Sequence, residues 1–190
     1  MNPSANCRWR SQKSIAKVKL RRLSLRDCAK GSSPCLSKIC RWLFPIAVTF
    51  HNSEEAIWLP AWLARHAQEV PLQPDPGAFR FAVALLTVAA FVITYLSGRK
   101  GKETVWAYLL FGYIVAMLAN VFIPHIPASL ILRSYTPGVV TAVLINLPVM
   151  SFLAIRAVRE RWVSGRKAVM FGIAVPLAIA GTIPALLLIG

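Results

Sequence analysis

Acidic residues are scarce in this sequence: only seven aspartates and glutamates stand against 22 lysines and arginines in 190 residues. Charged residues make up 15% of the chain and hydrophobic residues 56%, whereas soluble domains average about 25% charged residues. The sequence also lacks stretches in which apolar and polar residues alternate, the pattern of half-buried β-strands. These absences argue against soluble domains and against β-structure, and they favour one compact helical domain in a membrane.

Five long apolar runs supply the candidate helices. They are Trp42–Leu63, Phe79–Ser97, Thr104–Ile123, Pro137–Val158 and Ala168–Leu188. Each has about the 20 residues that a helix needs to cross a hydrocarbon core of roughly 30 Å. Because backbone polar groups must be satisfied internally in lipid, such runs form helices. The sequence therefore predicts an all-α fold, a polytopic membrane helix bundle with about five transmembrane helices.

The basic residues are distributed unevenly between the segments that join these runs. Residues 1–41, 98–103 and 156–167 hold 19 of the 22. The other segments hold only three: Arg65, Arg80 and Arg133. This alternation follows the positive-inside rule and predicts a cytoplasmic N-terminus and an external C-terminus in a bacterial-type cytoplasmic membrane. The net charge of +15 then reflects membrane orientation and not a nucleic-acid partner. We therefore expect membrane lipids as partners and no nucleic acid. The oligomeric state stays open.

Residues 1–41 differ in composition from residues 42–190, the predicted transmembrane domain. They carry 11 basic residues and a single acidic one, Asp27, which predicts a disordered cytoplasmic tail that lies on an anionic leaflet. An organelle transit peptide, or a stretch absent from the mature protein, has a similar composition. All four cysteines lie here: Cys7, Cys28, Cys35 and Cys40. They include no C-x-x-C pair, and on the cytoplasmic side we expect free thiols.

A polar string, His51-Asn52-Ser53-Glu54-Glu55, interrupts the first apolar run. One ionisable residue at the bilayer centre costs about 2.5–3.5 kcal/mol on insertion scales, so three in five residues indicate a site. Since each helical residue advances about 100°, His51, Glu54 and Glu55 project within one arc. Pro60 is expected to kink or end this helix shortly afterwards.

Three further polar positions reach similar depths in the predicted bundle. With a rise of 1.5 Å per residue, Glu55 lies about 20 Å above the start of the first run and Asn120 about 24 Å above the start of the third. Asn146 lies about 14 Å below the outer surface in the fourth run. His125 stands between two prolines that are expected to end the third helix at the external mouth. We therefore expect one polar pocket in the outer half of the bundle.

Imidazole and carboxylate are the ligands of Zn and of non-haem Fe or Mn sites. We expect His51, Glu55 and His125 to hold the metal and leave a position for water, whose pKa the metal lowers toward about 7. Glu54 and Glu55 are the candidate catalytic carboxylates. Asn120, Asn146 and Tyr135 are candidates for substrate binding or for orienting the ligands. The alternative is a set of buried polar groups that only hydrogen-bond one another.

Three motifs together resemble the HXXEE family of small multi-pass membrane proteins. They are the H-x-x-E-E string, the N-x4-H spacing of Asn120 and His125, and the segment Y-T-P-G-V-V-T-A from Tyr135 to Ala142. The resemblance covers residues 42–190. It implies a membrane location and a motif, and no particular reaction.

Two classes of function remain open on this sequence. One is a metal-dependent intramembrane hydrolase or another lipid-active enzyme. The alternative is a proton- or cation-coupled transporter or binding protein, since chains of acids and imidazoles carry protons in transporters. The absence of an internal repeat argues against many transporter folds, and the absence of a G-x-S-x-G nucleophile argues against a serine hydrolase.

Overall fold

The computed structural model of the protein describes residues 40–70 and 73–189. Within these ranges all regular secondary structure is helical and no strand occurs, which confirms the predicted all-α class. The described helices belong to one compact unit, Cys40–Gly190. The prediction of a disordered tail concerns residues 1–41, of which 1–39 lie outside the described residues.

Five helices follow the five apolar runs. They are α1 (Leu43–Arg65), α2 (Pro76–Lys100), α3 (Val105–Ile131), α4 (Val139–Arg159) and α5 (Gly165–Ile189). Three of them, α2, α3 and α4, are long and apolar enough to cross a membrane, counted over the described residues. Helix α1, which carries the polar string, is not among these three. The structure is thus consistent with a membrane protein, and the crossing by all five helices stays a prediction.

Side-chain caps mark the starts of α2 and α3. The Asp75 carboxylate accepts a hydrogen bond from the Ala78 backbone amide at 2.8 Å, and Pro76 occupies the first position of α2. The Thr104 hydroxyl caps α3 in the same way through the amide of Ala107. Such caps satisfy backbone donors that have no partner inside the helix.

Of the two outcomes expected for Pro60, a kink or the end of the helix, the second does not occur in α1. The helix runs on to Arg65 with Pro60 inside it. Proline lacks the N–H that would bond to the carbonyl of Ala56, and the Arg80 Nε of α2 donates to that oxygen instead, at 3.1 Å. A side chain from the neighbouring helix therefore replaces the missing backbone hydrogen bond.

Helices α3 and α4 both lose regular geometry near the polar string. Ile123 has φ −147° and ψ 103°, which are strand-like values, and α3 kinks there and resumes at Ile126. The regular α-helix thus stops at Asn120, before the two prolines, as expected, and a second helical segment resumes at Ile126. In α4 the turn Ala142–Asn146 is wider than an α-helical turn and contacts the irregular segment Val121–His125. Widened turns of this kind are frequent at functional sites.

The two basic loops meet at one end of the bundle. The Lys102 Nζ donates to the backbone carbonyl of Glu160 at 2.7 Å, and the Glu103 amide donates to the carbonyl of Trp162 at 2.8 Å. Arg41, just before α1, lies over the indole ring of Trp162 at 5.9 Å. The start of α1, the α2–α3 loop and the α4–α5 loop therefore share this end, as an antiparallel arrangement requires.

Candidate metal centre

The rotation of α1 is fixed by the residue next to His51. The Asn52 Nδ2 donates to the Val83 carbonyl at 3.1 Å and to the Thr87 hydroxyl at 2.8 Å, both on α2. Asn52 thus faces α2, while His51 and Glu55, one turn apart, face the irregular parts of α3 and α4. His51 is completely buried there.

Three ligand atoms converge between α1 and α3. The Glu55 Oε1 lies 3.1 Å from the His125 Nε2 and 3.6 Å from the His51 Nε2. The two imidazole rings are nearly perpendicular, with centroids 4.9 Å apart. One ligand atom from each of His51, Glu55 and His125 lies within 4.8 Å of the other two, so this group could hold a metal ion. We call these three residues the His/Glu/His cluster.

Asn120 bridges the two histidines of the cluster. Its Nδ2 lies 2.9 Å from the His51 Nε2 and 3.1 Å from the His125 Nε2. Both Nε2 atoms therefore point to one place beside the Glu55 carboxylate. Neutral imidazole nitrogens and a carboxylate are ligands that a cation takes, and the donor set therefore fits a metal.

A second network fixes the orientation of His51. The Glu54 Oε2 accepts from the Thr141 hydroxyl at 2.5 Å and from the Thr141 amide at 3.1 Å, and the Tyr135 hydroxyl donates to the other carboxylate oxygen. The His51 Nδ1 lies 3.0 Å from the same Thr141 hydroxyl oxygen. Because that hydroxyl hydrogen is directed to Glu54, its oxygen accepts from Nδ1–H, and the Nε2 of His51 keeps its lone pair for the cluster.

Tyr135 belongs to this network and not to the His/Glu/His cluster. Burial, and then the hydrogen bond to the Glu54 carboxylate, raise the pKa of Tyr135 to about 12. The Tyr135 hydroxyl donates to Glu54, as a protonated phenol can. Glu54 itself accepts hydrogen bonds from Thr141 and Tyr135, so the two adjacent glutamates occupy different networks.

Gly138 packs directly against the His/Glu/His cluster, where a side chain would not fit. Its φ of +93° is in the left-handed region that favours glycine. A Cβ at this position would lie 2.5 Å from the His125 Cε1 and 3.1 Å from the Glu55 Cγ. Any other residue would therefore push against two members of the cluster.

The structure brings most, but not all, of the expected polar residues together. His51, Glu55, His125 and Asn120 contact one another, and Glu54 with Tyr135 forms the neighbouring network. Asn146 is completely buried, but its amide has no hydrogen-bond partner among the described residues. Thr141 and Gly138 were not assigned to the site from the sequence. Both lie in the segment from Tyr135 to Ala142. That segment is one of the three sequence motifs, and it was the signal that could have pointed to them.

Fold and cluster together define a class: a helical protein with candidate membrane spans and a His/Glu/His group able to hold a metal. The chain belongs to the HXXEE family, described as "Protein of unknown function with HXXEE motif", whose model matches residues 42–153. This confirms the resemblance seen in the sequence, and the matched range includes the whole cluster. The chain is also similar to "Uncharacterized protein YrkK" of Bacillus subtilis (strain 168), with 26% identity over 147 residues, 77% of this chain and 92% of that protein. No solved structure matches.

Proposed function

We propose that this protein is a metal-dependent hydrolase whose metal is held by His51, Glu55 and His125. The observation that carries the proposal is the convergence of their three ligand atoms within 4.8 Å. Two imidazoles and one carboxylate are a ligand set of zinc hydrolases and leave a coordination position open. The same donors also suit Fe or Mn.

Two features of the surroundings fit a bound metal. The Thr141 contact leaves the His51 Nε2 unprotonated, which is the state a metal ligand needs. Glu55 places its carboxylate beside one nitrogen of each imidazole, and a cation there would balance its charge. When bound, such a metal supplies a Lewis acid and an activated water. In this proposal Glu54 is a positioning residue that acts on His51 through Thr141.

Metal analysis of the purified protein tests the proposal. We expect about one Zn, Fe or Mn per chain in the detergent-purified native protein, and loss of the metal in the variants His51→Ala, His125→Ala and Glu55→Gln. His66→Ala is the matched control, because His66 lies at the end of α1 and its ring stacks on Trp62, away from the cluster. A folded native protein that takes up none of the three metals would overturn the proposal.

A second candidate is a proton-coupled transporter or binding protein. The observation that favours it is a continuous line of polar contacts from Tyr135 through Glu54, Thr141, His51 and Glu55 to His125. Such a line can relay protons. In that case Glu55→Gln abolishes pH-dependent uptake in vesicles, and the native protein contains no stoichiometric metal. Metal at unit occupancy rejects the purely protonic version.

A further inference from the structure

An apolar cavity of about 520 Å³ adjoins the His/Glu/His cluster. It lies between α1, α2, α3 and α5, and its wall includes Leu59, Leu63, Phe79, Val83, Met117 and Ile179. Ligand sites commonly have volumes of about 300–1,000 Å³, so the cavity is large enough for a substrate and not only for solvent. Glu55, Asn120 and His125 also line it, which means that the cavity and the cluster share one wall.

Most other polar groups of the wall already have partners. The Tyr113 hydroxyl donates to the Leu86 carbonyl at 3.0 Å, and both N–H groups of the Asn52 amide are used on α2. Thr136 bonds to Ser129 and to the His125 carbonyl. A ligand rich in hydroxyls or amides would therefore lose its hydrogen bonds to water without replacement along most of the wall. The polar part of a ligand fits only beside the cluster.

The charges on the cavity wall also restrict which polar group a ligand can carry. Among the described residues that line the cavity there is no lysine or arginine, and Glu55 contributes a carboxylate. Phosphate and sulfate groups are commonly bound by Arg and Lys, which this wall does not offer. A neutral carbonyl group meets no such obstacle.

We propose that the cavity holds the hydrocarbon chain of a single-chain carboxylic ester, with the ester carbonyl at the His/Glu/His cluster. The inference rests on the proposed function, because the cluster supplies the hydrolysis. Water adds to the carbonyl carbon, and the bond from that carbon to the alcohol oxygen breaks. The alcohol leaves with one proton of the water, while the fatty acid keeps the oxygen of the water and releases the second proton as it ionises. A membrane presents such amphiphiles with their chains already in an apolar phase.

Filling the cavity without touching the cluster is the direct test. Ala116 on α3 lines the cavity and is buried, and Ala116→Leu adds about three methylene-sized groups there. Ala107→Leu is the matched control, because Ala107 is equally buried on the same helix but packs in a different apolar cluster, with Tyr108 and Val163. Thermal unfolding of both variants in nanodiscs verifies that they fold.

Chain binding is measured with methyl hexadecyl ether, a non-hydrolysable probe, by native mass spectrometry of the purified protein. We expect Ala116→Leu to weaken its binding about tenfold or more and to keep the metal, since methylene burial carries the affinity. His51→Ala should do the reverse, losing the metal and keeping the probe. Ala107→Leu should keep both.

Hydrolysis is measured with p-nitrophenyl acetate, octanoate and palmitate on the metal-loaded protein in nanodiscs. We expect kcat/KM to rise with acyl length in the native protein and in Ala107→Leu, and this rise to disappear in Ala116→Leu while acetate is still cleaved. Equal probe binding in the native protein and in Ala116→Leu overturns the proposed occupant. Tight probe binding without cleavage of any ester overturns the hydrolytic step alone, and absence of metal with intact probe binding overturns the proposed function.

Discussion

His51 is the residue at which burial and hydrogen bonding together determine the chemistry. It is completely buried, so a charged imidazolium would need strong compensation. Its Nδ1 faces the Thr141 hydroxyl and its Nε2 faces Glu55 and Asn120. A neutral ring with hydrogen on Nδ1 satisfies both sides, and this ring form is the one that binds metals through Nε2.

Removing the Thr141 hydroxyl should weaken metal binding without removing a ligand. Thr141→Val keeps the shape of the side chain but leaves the His51 Nδ1 without its acceptor and deprives Glu54 of a donor. Loss of such an orienting partner typically lowers metal affinity about 10- to 100-fold, and we expect this range in a chelator competition. Thr49→Val is the control, since the Thr49 hydroxyl bonds to the Pro45 carbonyl on α1 and, among the described residues, to no member of the cluster. Unchanged affinity in Thr141→Val, or failure of Thr141→Ser to restore it, would contradict the assigned role.

A side chain at position 138 should displace His125. Gly138→Ala forces alanine into a left-handed conformation, which costs about 1–2 kcal/mol, and also brings its Cβ to 2.5 Å from the His125 Cε1. Gly101→Ala separates the two effects, because Gly101 has φ +87° but nothing within 4 Å of the added carbon. We expect both variants to lower the free energy of unfolding, and only Gly138→Ala to lose the metal. Loss of metal in both, or in neither, would show that the close contact is unimportant.

The lengths of the apolar runs suffice to predict the helices, because the bilayer fixes how many residues a span needs. Helix α2 illustrates this, since its bounds Pro76–Lys100 enclose the run Phe79–Ser97. Position within a run was also sufficient to group His51 with Glu55, which share one helical face. The role of Thr141 could not be predicted in this way. It depends on a contact between positions 54 and 141, which only the packing of α1 against α4 creates.

Pro60 is a second case in which a contact between helices, and not the local sequence, determines the structure. The rule that proline breaks a helix assumes that the carbonyl four residues earlier stays without a partner. In α1 the Arg80 side chain supplies that partner to Ala56, and the apolar face of the helix continues to Trp62 and Leu63, which are buried. The contact links residues on different helices, so no local pattern announces it.

The exchange of a backbone hydrogen bond for a side-chain one can be measured with a double-mutant cycle. Arg80→Ala alone should lower the free energy of unfolding by about 0.5–1.5 kcal/mol, the usual net value of a hydrogen bond. In the Pro60→Ala background the backbone N–H of residue 60 can bond to Ala56 again, so the same change should cost nearly nothing. Chemical unfolding in detergent gives the four values. An equal cost of Arg80→Ala in both backgrounds would mean that its bond to Ala56 contributes no stability.

At the scale of the whole molecule, one end of the bundle is strongly basic. The α2–α3 loop and the α4–α5 loop are joined there by the contacts of Lys102 with Glu160 and of Glu103 with Trp162. Arg41 reaches the same end through Trp162. The positive-inside rule assigns such an end to the cytoplasm, and the cluster, further along α1, would then lie toward the outer leaflet.

Reporter fusions test this orientation. A fusion after Lys100 should report the cytoplasm, and fusions after Arg133 and at the C-terminus should report the outside. The reason is that the end of α2 and the start of α4 lie at opposite ends of the bundle. The basic residues of the α2–α3 loop can be tested directly, because the distribution of basic residues sets the orientation of membrane helices. Replacing Arg99, Lys100 and Lys102 by glutamine should reduce the cytoplasmic signal of the fusion at position 100. The same change at Arg65 and Arg133 serves as the control and should leave the Lys100 signal unchanged. An external signal at Lys100 in the native protein would reverse the topology and turn the cluster toward the cytoplasmic leaflet.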